Sequence, residues 1–348
     1  MKKFLAILMA MMLVFSLCGV AMADGGNNEG GGSGLIPDPI LAPTVLTHAD
    51  ETKVAITKVY KLENADTVSP AETFNFTIAK EGVTDSAYTK DTMPMFSVTS
   101  FDISFAEGEA TTAGATESYE LTLPTYDKVG IYTYKITETA SNTAGVTYNS
   151  KPLYLKVTVI EQSGKVRVTA VHLETTTGSK TDKMTNIYSA GSLSVSKEVT
   201  GLLGDKTKGF DITVNFTAPS GKDVDSAITY VVGTETKTLA WTNGTATAKI
   251  TLKDAGTVTF TNIPYGVTYS VTEADYTGNN GGYDAAEYTY SDTDQEIDSA
   301  AETVKVTNNK GGTPDTGVYT DNMPYIMLMG IVVLAGAVML MKRRSYNG

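Results

Sequence analysis

Two lysines occupy positions at which a β-strand would point its side chain inward. Lys58 has the same parity as Ile56 and Tyr60, and Lys197 has the same parity as Val195. Successive side chains of a strand point to opposite faces, so residues of equal parity share a face. Both lysines are therefore predicted to point into an apolar core.

Each lysine is followed along the chain by a glutamate and then by an asparagine, and these residues also align with apolar neighbours. The two sets are Lys58, Glu138 and Asn186, and Lys197, Glu273 and Asn308. The lysine-to-glutamate separations are 80 and 76 residues, and the glutamate-to-asparagine separations are 48 and 35 residues. The same order occurs twice, which indicates an internal repeat.

A lysine that is buried without a partner must be paired, neutralised or consumed by a reaction, because burying its charge is unfavourable. Desolvation favours the neutral amine, which is a nucleophile, and an adjacent asparagine carboxamide is an electrophile that releases ammonia. A protonated glutamate in the same apolar site would polarise the amide oxygen and transfer protons. These residues predict one Lys–Asn isopeptide bond per domain, from Lys58 to Asn186 and from Lys197 to Asn308.

Two alternative explanations apply to an isolated trio of this kind. Inward-pointing lysines occur on edge strands, where they oppose aggregation, and many Lys–Glu pairs reach the surface. The recurrence of the trio in the same order and parity favours the bond. Such a bond would join the first strand of each domain to its last strand, and would constrain almost the whole domain as a disulfide does.

The elements that must position these residues are strands. Thr, Val, Tyr and Ile alternate with polar residues in short runs separated by turn residues, a pattern typical of all-β sandwiches. We expect an all-β fold of two tandem Ig-like sandwich domains, residues 44–189 and 190–310. The clearest strand runs are Val54–Tyr60, Phe74–Ile78, Gly130–Thr137, Leu153–Val159, Leu193–Val199, Phe210–Phe216 and Thr257–Thr261.

The two ends of the sequence carry export signals. Residues 1–23 have a basic start, an apolar run and a closing Ala-Met-Ala, which predicts a signal peptide cleaved between Ala23 and Asp24. Residues 24–43, which begin with the glycine-rich stretch Gly25–Gly34, predict a flexible leader. Residues 311–348 contain the motif Thr313-Pro314-Asp315-Thr316-Gly317, a predicted membrane segment at 324–341 and a basic tail at 342–344.

Composition argues against several classes of function. The 348 residues carry a formal net charge of −12, and residues 24–316 alone carry about −16, which argues against a nucleic-acid partner. The only cysteine, Cys18, lies in the predicted signal peptide, so the mature chain has no disulfide. The sequence offers two histidines, no nucleophile triad, no metal-ligand spacing and no phosphate loop, so we expect no enzyme with turnover, no cofactor and no metal.

The motif NIPYGVTYSVTE at Asn262–Glu273, taken with the repeated trio, resembles the collagen-adhesin B-type Ig-like domains of Gram-positive surface proteins. The two-domain order, with GIYTYKITE at Gly130–Glu138 and LSVSK at Leu193–Lys197, is similar to the streptococcal T-antigen-type backbone pilin. That resemblance implies a self-formed Lys–Asn bond in each domain, assisted by a glutamate; the matching residues are Glu138 and Glu273. The C-terminal triplet resembles a cell-wall sorting signal, and Thr313 in place of the usual leucine leaves the sortase class open.

The resemblance also implies how subunits would be joined. A sortase would cleave between Thr316 and Gly317 and transfer Thr316 to a lysine of the next subunit. Gly178-Ser179-Lys180 matches the acceptor position of the family, and Lys183 is the alternative.

Together these features predict the structural shaft subunit of a sortase-assembled pilus on the cell wall of a Gram-positive bacterium. Its expected partners are a sortase, other copies of itself, minor pilins and peptidoglycan. The alternative is a wall-anchored adhesin or minor pilin that binds a host ligand and does not polymerise.

Overall fold

The structure is a computed structural model, and it describes residues 50–312. Residues 1–49, which include the predicted signal peptide and leader, lie outside the described residues. The sorting residues from 313 onward also lie outside them. Within 50–312, no helix is long and apolar enough to cross a membrane. The membrane segment predicted at 324–341 lies beyond that range.

The described residues form β-strands and one 3₁₀ helix, Gly278–Asn280. In the first half the strands are β1 Lys53–Leu62, β2 Glu72–Thr84, β3 Ser100–Phe105, β4 Ala115–Thr122, β5 Gly130–Thr139, β6 Val146–Thr147, β7 Leu153–Gln162, β8 Lys165–Glu174 and β9 Lys183–Tyr188. In the second half they are β10 Ala190–Thr200, β11 Phe210–Thr217, β12 Ile228–Val232, β13 Glu235–Leu239, β14 Thr245–Leu252, β15 Thr257–Pro264, β16 Thr268–Glu273, β17 Glu287–Tyr290 and β18 Ala301–Asn309.

The predicted all-β fold is confirmed, and each strand run named from the sequence lies inside an observed strand. The alternation of apolar and polar residues explains this agreement, because it gives each strand one face that must be buried. On β10, for example, Leu193, Val195, Lys197 and Val199 are buried while the residues between them are partly exposed.

The first half is a sandwich of two sheets. One sheet has the strand order β4-β1-β9-β6, and the other has the order β3-β2-β5-β7-β8. β1 pairs with β4 on one side and, in parallel, with β9 on the other, so the first and last strands of this half are neighbours. Because Lys58 lies on an interior strand, the edge-strand explanation does not apply to it.

The second half repeats this arrangement with different strand counts. β10 lies between β15 and β18 in the sheet β13-β12-β15-β10-β18-β17, which faces the sheet β14-β11-β16. β10 and β18 run parallel along nine residue pairs, from Ser192 opposite Ala301 to Thr200 opposite Asn309. Lys197 is therefore also on an interior strand next to the last strand of its domain.

Each half has its own apolar core. One cluster of buried side chains runs from Ile56 to Ala190, and the other runs from Leu193 to Val306. A single residue, Ser189, separates β9 from β10, so the two halves are joined without a linker.

Hydrogen bonds connect the two halves at their junction. The side-chain oxygen of Asn262 accepts the Val68 N–H at 2.9 Å, and the hydroxyls of Tyr188 and Ser226 are 2.7 Å apart in a buried position. Asn262 has a φ of 61°, in the left-handed region that asparagine tolerates better than most residues. The junction therefore uses a backbone conformation that favours asparagine at this position.

Two buried lysine, glutamate and asparagine sites

The first site lies between the two sheets of the first domain. Alternation on β1 places Lys58 inward, and it is fully buried. Asn186 lies on the adjacent parallel strand β9 and is also fully buried, while Glu138 lies near the end of β5 in the facing sheet and is 6% exposed. The three residues predicted from the sequence therefore lie together.

One carboxylate contacts both of the groups that would react. The Lys58 Nζ donates a hydrogen bond to Glu138 Oε2 at 2.6 Å, and the Asn186 Nδ2 donates a short hydrogen bond to Glu138 Oε1. The carboxylate is thus in a position to take a proton from the amine and to give one to the amide nitrogen.

The oxygen of the Asn186 amide has a different partner from the one expected. The backbone N–H of Asn149 donates to Asn186 Oδ1 at 2.9 Å. The amide oxygen therefore points away from Glu138, and the expected hydrogen bond from a protonated glutamate to this oxygen is not formed. The backbone N–H of Asn149 is the hydrogen-bond donor to the amide oxygen, and the amide nitrogen faces the carboxylate.

Burial increases the neutral fraction of the Lys58 amine. Its Nζ lies 4.3 Å from the centre of the Phe74 ring, a contact that favours the charged form. Burial lowers the pKa of Lys58 to about 8, against the attraction of Glu138 and Glu72. At pH 7 about one molecule in ten then carries a neutral amine, compared with about one in three thousand at the ordinary lysine pKa.

Glu72 is a second buried carboxyl group at the first site, and it is absent from the predicted set. It begins β2 on the same face as Phe74 and is 6% exposed. Its Oε1 accepts the Tyr148 hydroxyl at 2.9 Å, and burial raises the pKa of Glu72. The parity argument that identifies Lys58 applies equally to Glu72 and could have found it.

The second site repeats the layout of the first. Lys197 on β10 and Asn308 on the parallel β18 are 2% and 1% exposed, and Glu273 at the end of β16 in the facing sheet is 9% exposed. The Lys197 Nζ donates to Asn308 Oδ1 at 2.5 Å and to the Val306 carbonyl at 3.2 Å. It lies 3.6 Å from Glu273 Oε1.

The glutamate of the second site has fewer hydrogen bonds than the glutamate of the first. Within residues 50–312, neither oxygen of Glu273 has a hydrogen-bond partner of good geometry. Burial raises the pKa of Glu273 against the effects of Asn308 and Lys197, and burial lowers the pKa of Lys197. Burial therefore shifts this carboxyl group toward its protonated form.

The remaining predicted residues lie on the surface or outside the described range. Lys180 and Lys183 are both exposed. Lys180 follows a turn in which Gly178 has a φ of 82°, a conformation that favours glycine. Residues Thr313 to Gly317 and the predicted cleavage site at Ala23 and Asp24 lie outside the described residues.

Two family models match successive parts of the chain. Residues 54–189 match the Spy0128-like isopeptide containing domain, and residues 191–310 match a domain of unknown function, DUF7601. A pilin of Streptococcus pyogenes serotype M1 is 26% identical over 328 residues, which cover 86% of this chain and 93% of that protein. The chain is a homologue of the streptococcal major pilin.

Solved structures share the fold of this pilin homologue. The crystal structure of the major pilin from Streptococcus pyogenes matches with a TM-score of 0.56 and 23% identity, covering 76% of this chain and 100% of that one. The pilus tip adhesin Cpa of Streptococcus pyogenes is 33% identical over 132 residues, 37% of this chain but only 18% of Cpa. The similarity to the pilin therefore extends over most of the chain, while the similarity to the adhesin is confined to a part.

Proposed function

We propose that this chain is the shaft subunit of a sortase-assembled pilus and that each of its domains closes one Lys–Asn isopeptide bond. The observation that carries the proposal is the Glu138 carboxylate, which contacts the Lys58 amine and the Asn186 amide between the first and last strands of the domain. The reaction takes place once per molecule, so the chain is not an enzyme. Homology to a pilin supports the structural role.

The geometry of the first site supports a proton relay. The neutral Lys58 nitrogen bonds to the Asn186 Cγ and loses one proton to Glu138 Oε2. Glu138 returns a proton to Asn186 Nδ2, which leaves with the electron pair of the Cγ–N bond as ammonia. The carboxylate ends as it began, and an amine and a carboxamide have become one secondary amide and one ammonia.

The second site supports the same net reaction from a different starting arrangement. The Lys197 amine already touches the amide oxygen of Asn308, and burial raises the pKa of Glu273 beside it. A protonated carboxyl group supplies a proton to the leaving nitrogen and accepts one from the amine. The burial of all three side chains excludes water, which would otherwise compete for these protons.

Subunit joining is assigned to the residues of the sorting motif and to an exposed lysine. A sortase would cleave between Thr316 and Gly317 and pass Thr316 to Lys180 of another copy. Lys180 is exposed after a turn, as an acceptor must be, and Lys183 shares that exposure. The polymer would stand on the cell wall with a sortase, minor pilins and peptidoglycan as its other partners.

The test of the intramolecular bonds is the intact mass of residues 24–316. The wild-type chain is expected to be lighter than its sequence by two ammonias, and Glu138→Ala and Glu273→Ala are each expected to restore one. A matched control is Glu120→Ala, since Glu120 pairs with Lys53 at 2.9 Å on the surface; this variant is expected to keep the deficit of two ammonias relative to its own sequence. An unmodified wild-type mass would overturn the bond proposal.

A further inference from the structure

The carboxamide oxygen of Asn186 is the atom on which negative charge gathers when an amine adds to the amide carbon. In the first domain this oxygen is held by the backbone N–H of Asn149 at 2.9 Å. We propose that the Asn149 N–H is the oxyanion site of the first domain, and that Tyr148 and Glu72 are positioning residues that hold it there. The inference rests on the proposed Lys–Asn bond.

Three contacts fix the direction of the Asn149 N–H. The short strand β6 pairs with β9, placing Thr147 opposite Ile187, next to the asparagine that reacts. The Asn149 side-chain oxygen accepts the Lys151 N–H at 2.9 Å, which closes the turn that follows. Between these contacts, the Tyr148 hydroxyl donates to Glu72 Oε1 at 2.9 Å.

Glu72, which accepts the Tyr148 hydroxyl, lies on the strand that lines the Lys58 pocket. Glu72 and Phe74 share one face of β2, and the Phe74 ring lies 4.3 Å from the Lys58 Nζ. The rings of Phe74 and Tyr148 pack edge to face, with centroids 6.2 Å apart. The segment that presents the N–H is therefore attached to the strand that lines the lysine pocket.

The second domain has no equivalent donor. The amide oxygen of Asn308 accepts a hydrogen bond from the Lys197 amine itself. Within residues 50–312, no backbone N–H donates a hydrogen bond to this oxygen. Once the amine bonds to the carbon, it no longer donates a hydrogen bond to that oxygen. The two domains therefore differ in one catalytic group, and the second serves as an internal control for the first.

The experiment compares two chains that differ by one atom in the backbone. The wild-type chain has the N–H, while its ester analogue, in which oxygen replaces the residue-149 nitrogen and the asparagine side chain is kept, lacks it. Residues 24–316 are collected unfolded, refolded by dilution and quenched over time, and the crosslinked peptides of each domain are quantified by mass spectrometry. Near-UV circular dichroism checks that each chain has folded.

The wild-type chain, which has the N–H, sets the reference rate for closure of the first bond. The ester analogue is expected to close it on the order of 100-fold more slowly, as for loss of one oxyanion donor, with the second bond unchanged. Equal rates in the first domain would overturn the oxyanion assignment. A wild-type chain that loses no ammonia from either domain would instead overturn the proposed bond itself.

The positioning role is tested separately with Tyr148→Phe and Glu72→Gln. Tyr148→Phe removes the anchoring hydroxyl and is expected to slow the first bond about tenfold, without moving the midpoint of its pH profile, since Lys58 and Glu138 are untouched. Glu72→Gln keeps an acceptor for the tyrosine and is expected to retain most of the rate, with a lower pH midpoint because a carboxyl group that raises the pKa of Lys58 is removed. A wild-type rate in Tyr148→Phe, or a shifted midpoint in that variant, would contradict the positioning role.

Discussion

Replacement of Glu138 by glutamine separates the proposed bond from the fold that surrounds it. Glutamine has nearly the same size and keeps an acceptor oxygen for the Lys58 amine, but it does not take up the proton that the reaction must remove. We expect the Glu138→Gln chain to fold with the first bond absent and the second bond intact. Any loss of stability then measures the bond, together with a smaller effect of the changed hydrogen bonds.

The size of that loss follows from the length of chain that the bond encloses. A bond from Lys58 to Asn186 closes a loop of about 130 residues, for which the chain-entropy relation gives about 5 kcal/mol. In a domain of about 135 residues, 1 kcal/mol shifts the melting temperature by roughly 3–4 °C. The first domain is therefore expected to melt roughly 15–20 °C lower without its bond.

Differential scanning calorimetry of residues 24–316 is the assay, with intact mass to confirm which bonds are present. The second domain of the same molecule is the reference, since its melting temperature is expected to change little. Glu273→Gln is the converse variant, in which the second domain loses the bond and the first retains it. The reasoning fails if the mass shows the first bond missing while the first domain still melts within a few degrees of wild type.

Three further predictions concern pH, the junction and assembly. The first bond is expected to form about tenfold faster at pH 7 than at pH 6 and to level off above pH 8, because neutral Lys58 increases until the pH passes its pKa of about 8; a rate that does not change with pH, measured by quenched refolding, would exclude the relay. Asn262→Ala is expected to lower the free energy of unfolding by about 2 kcal/mol through a lost hydrogen bond and a left-handed backbone, and to speed hydrogen exchange at Val68, whereas unchanged exchange would show that the junction does not depend on it. Lys180→Arg is expected to abolish the high-mass ladder of wall extracts while Lys183→Arg preserves it, and the reverse result would assign Lys183 as the acceptor.

The fold could be predicted because alternation is a strong constraint. A polar residue at an apolar position of a strand, such as Lys58 or Asn308, either faces the core or interrupts the alternation. Because the same arrangement occurs twice, the sequence favours side chains that face the core. The same rule places Glu72 and Glu302 inward, and both are buried. The sequence therefore marks Glu72 and Glu302 as clearly as it marks Lys58.

The donor to the amide oxygen could not be predicted in this way. The Asn149 N–H is a backbone group in a loop, and every residue except proline carries one, so no residue type marks it. Its direction is set by the pairing of β6 with β9 and by the anchor of Tyr148, which are contacts between segments far apart in the chain. That donor sets the orientation of the Asn186 amide. The amide nitrogen then faces Glu138, which is why Glu138 is proposed to protonate the nitrogen.

The position of the acceptor lysine determines which bond carries tension in the proposed polymer. Force that enters at Lys180 and leaves at Thr316 runs along β9 into β10, so most of the first domain lies outside its path. In the second domain, the proposed bond between Lys197 and Asn308 would join β10 directly to β18. Tension would then pass through that bond and would not extend the segment between its ends, which are 111 positions apart.

Pulling a single molecule between residues 180 and 316 tests this division of roles. The wild-type chain is expected to show no unfolding step, and Glu273→Ala is expected to release the segment between β10 and β18, up to about 40 nm of extended chain for 111 residues. Glu138→Ala is expected to show no step of that length, although its first domain is the less stable to heat. A step of equal length in Glu138→Ala would mean that load passes through the first domain, and that the acceptor lies nearer its N-terminal strand.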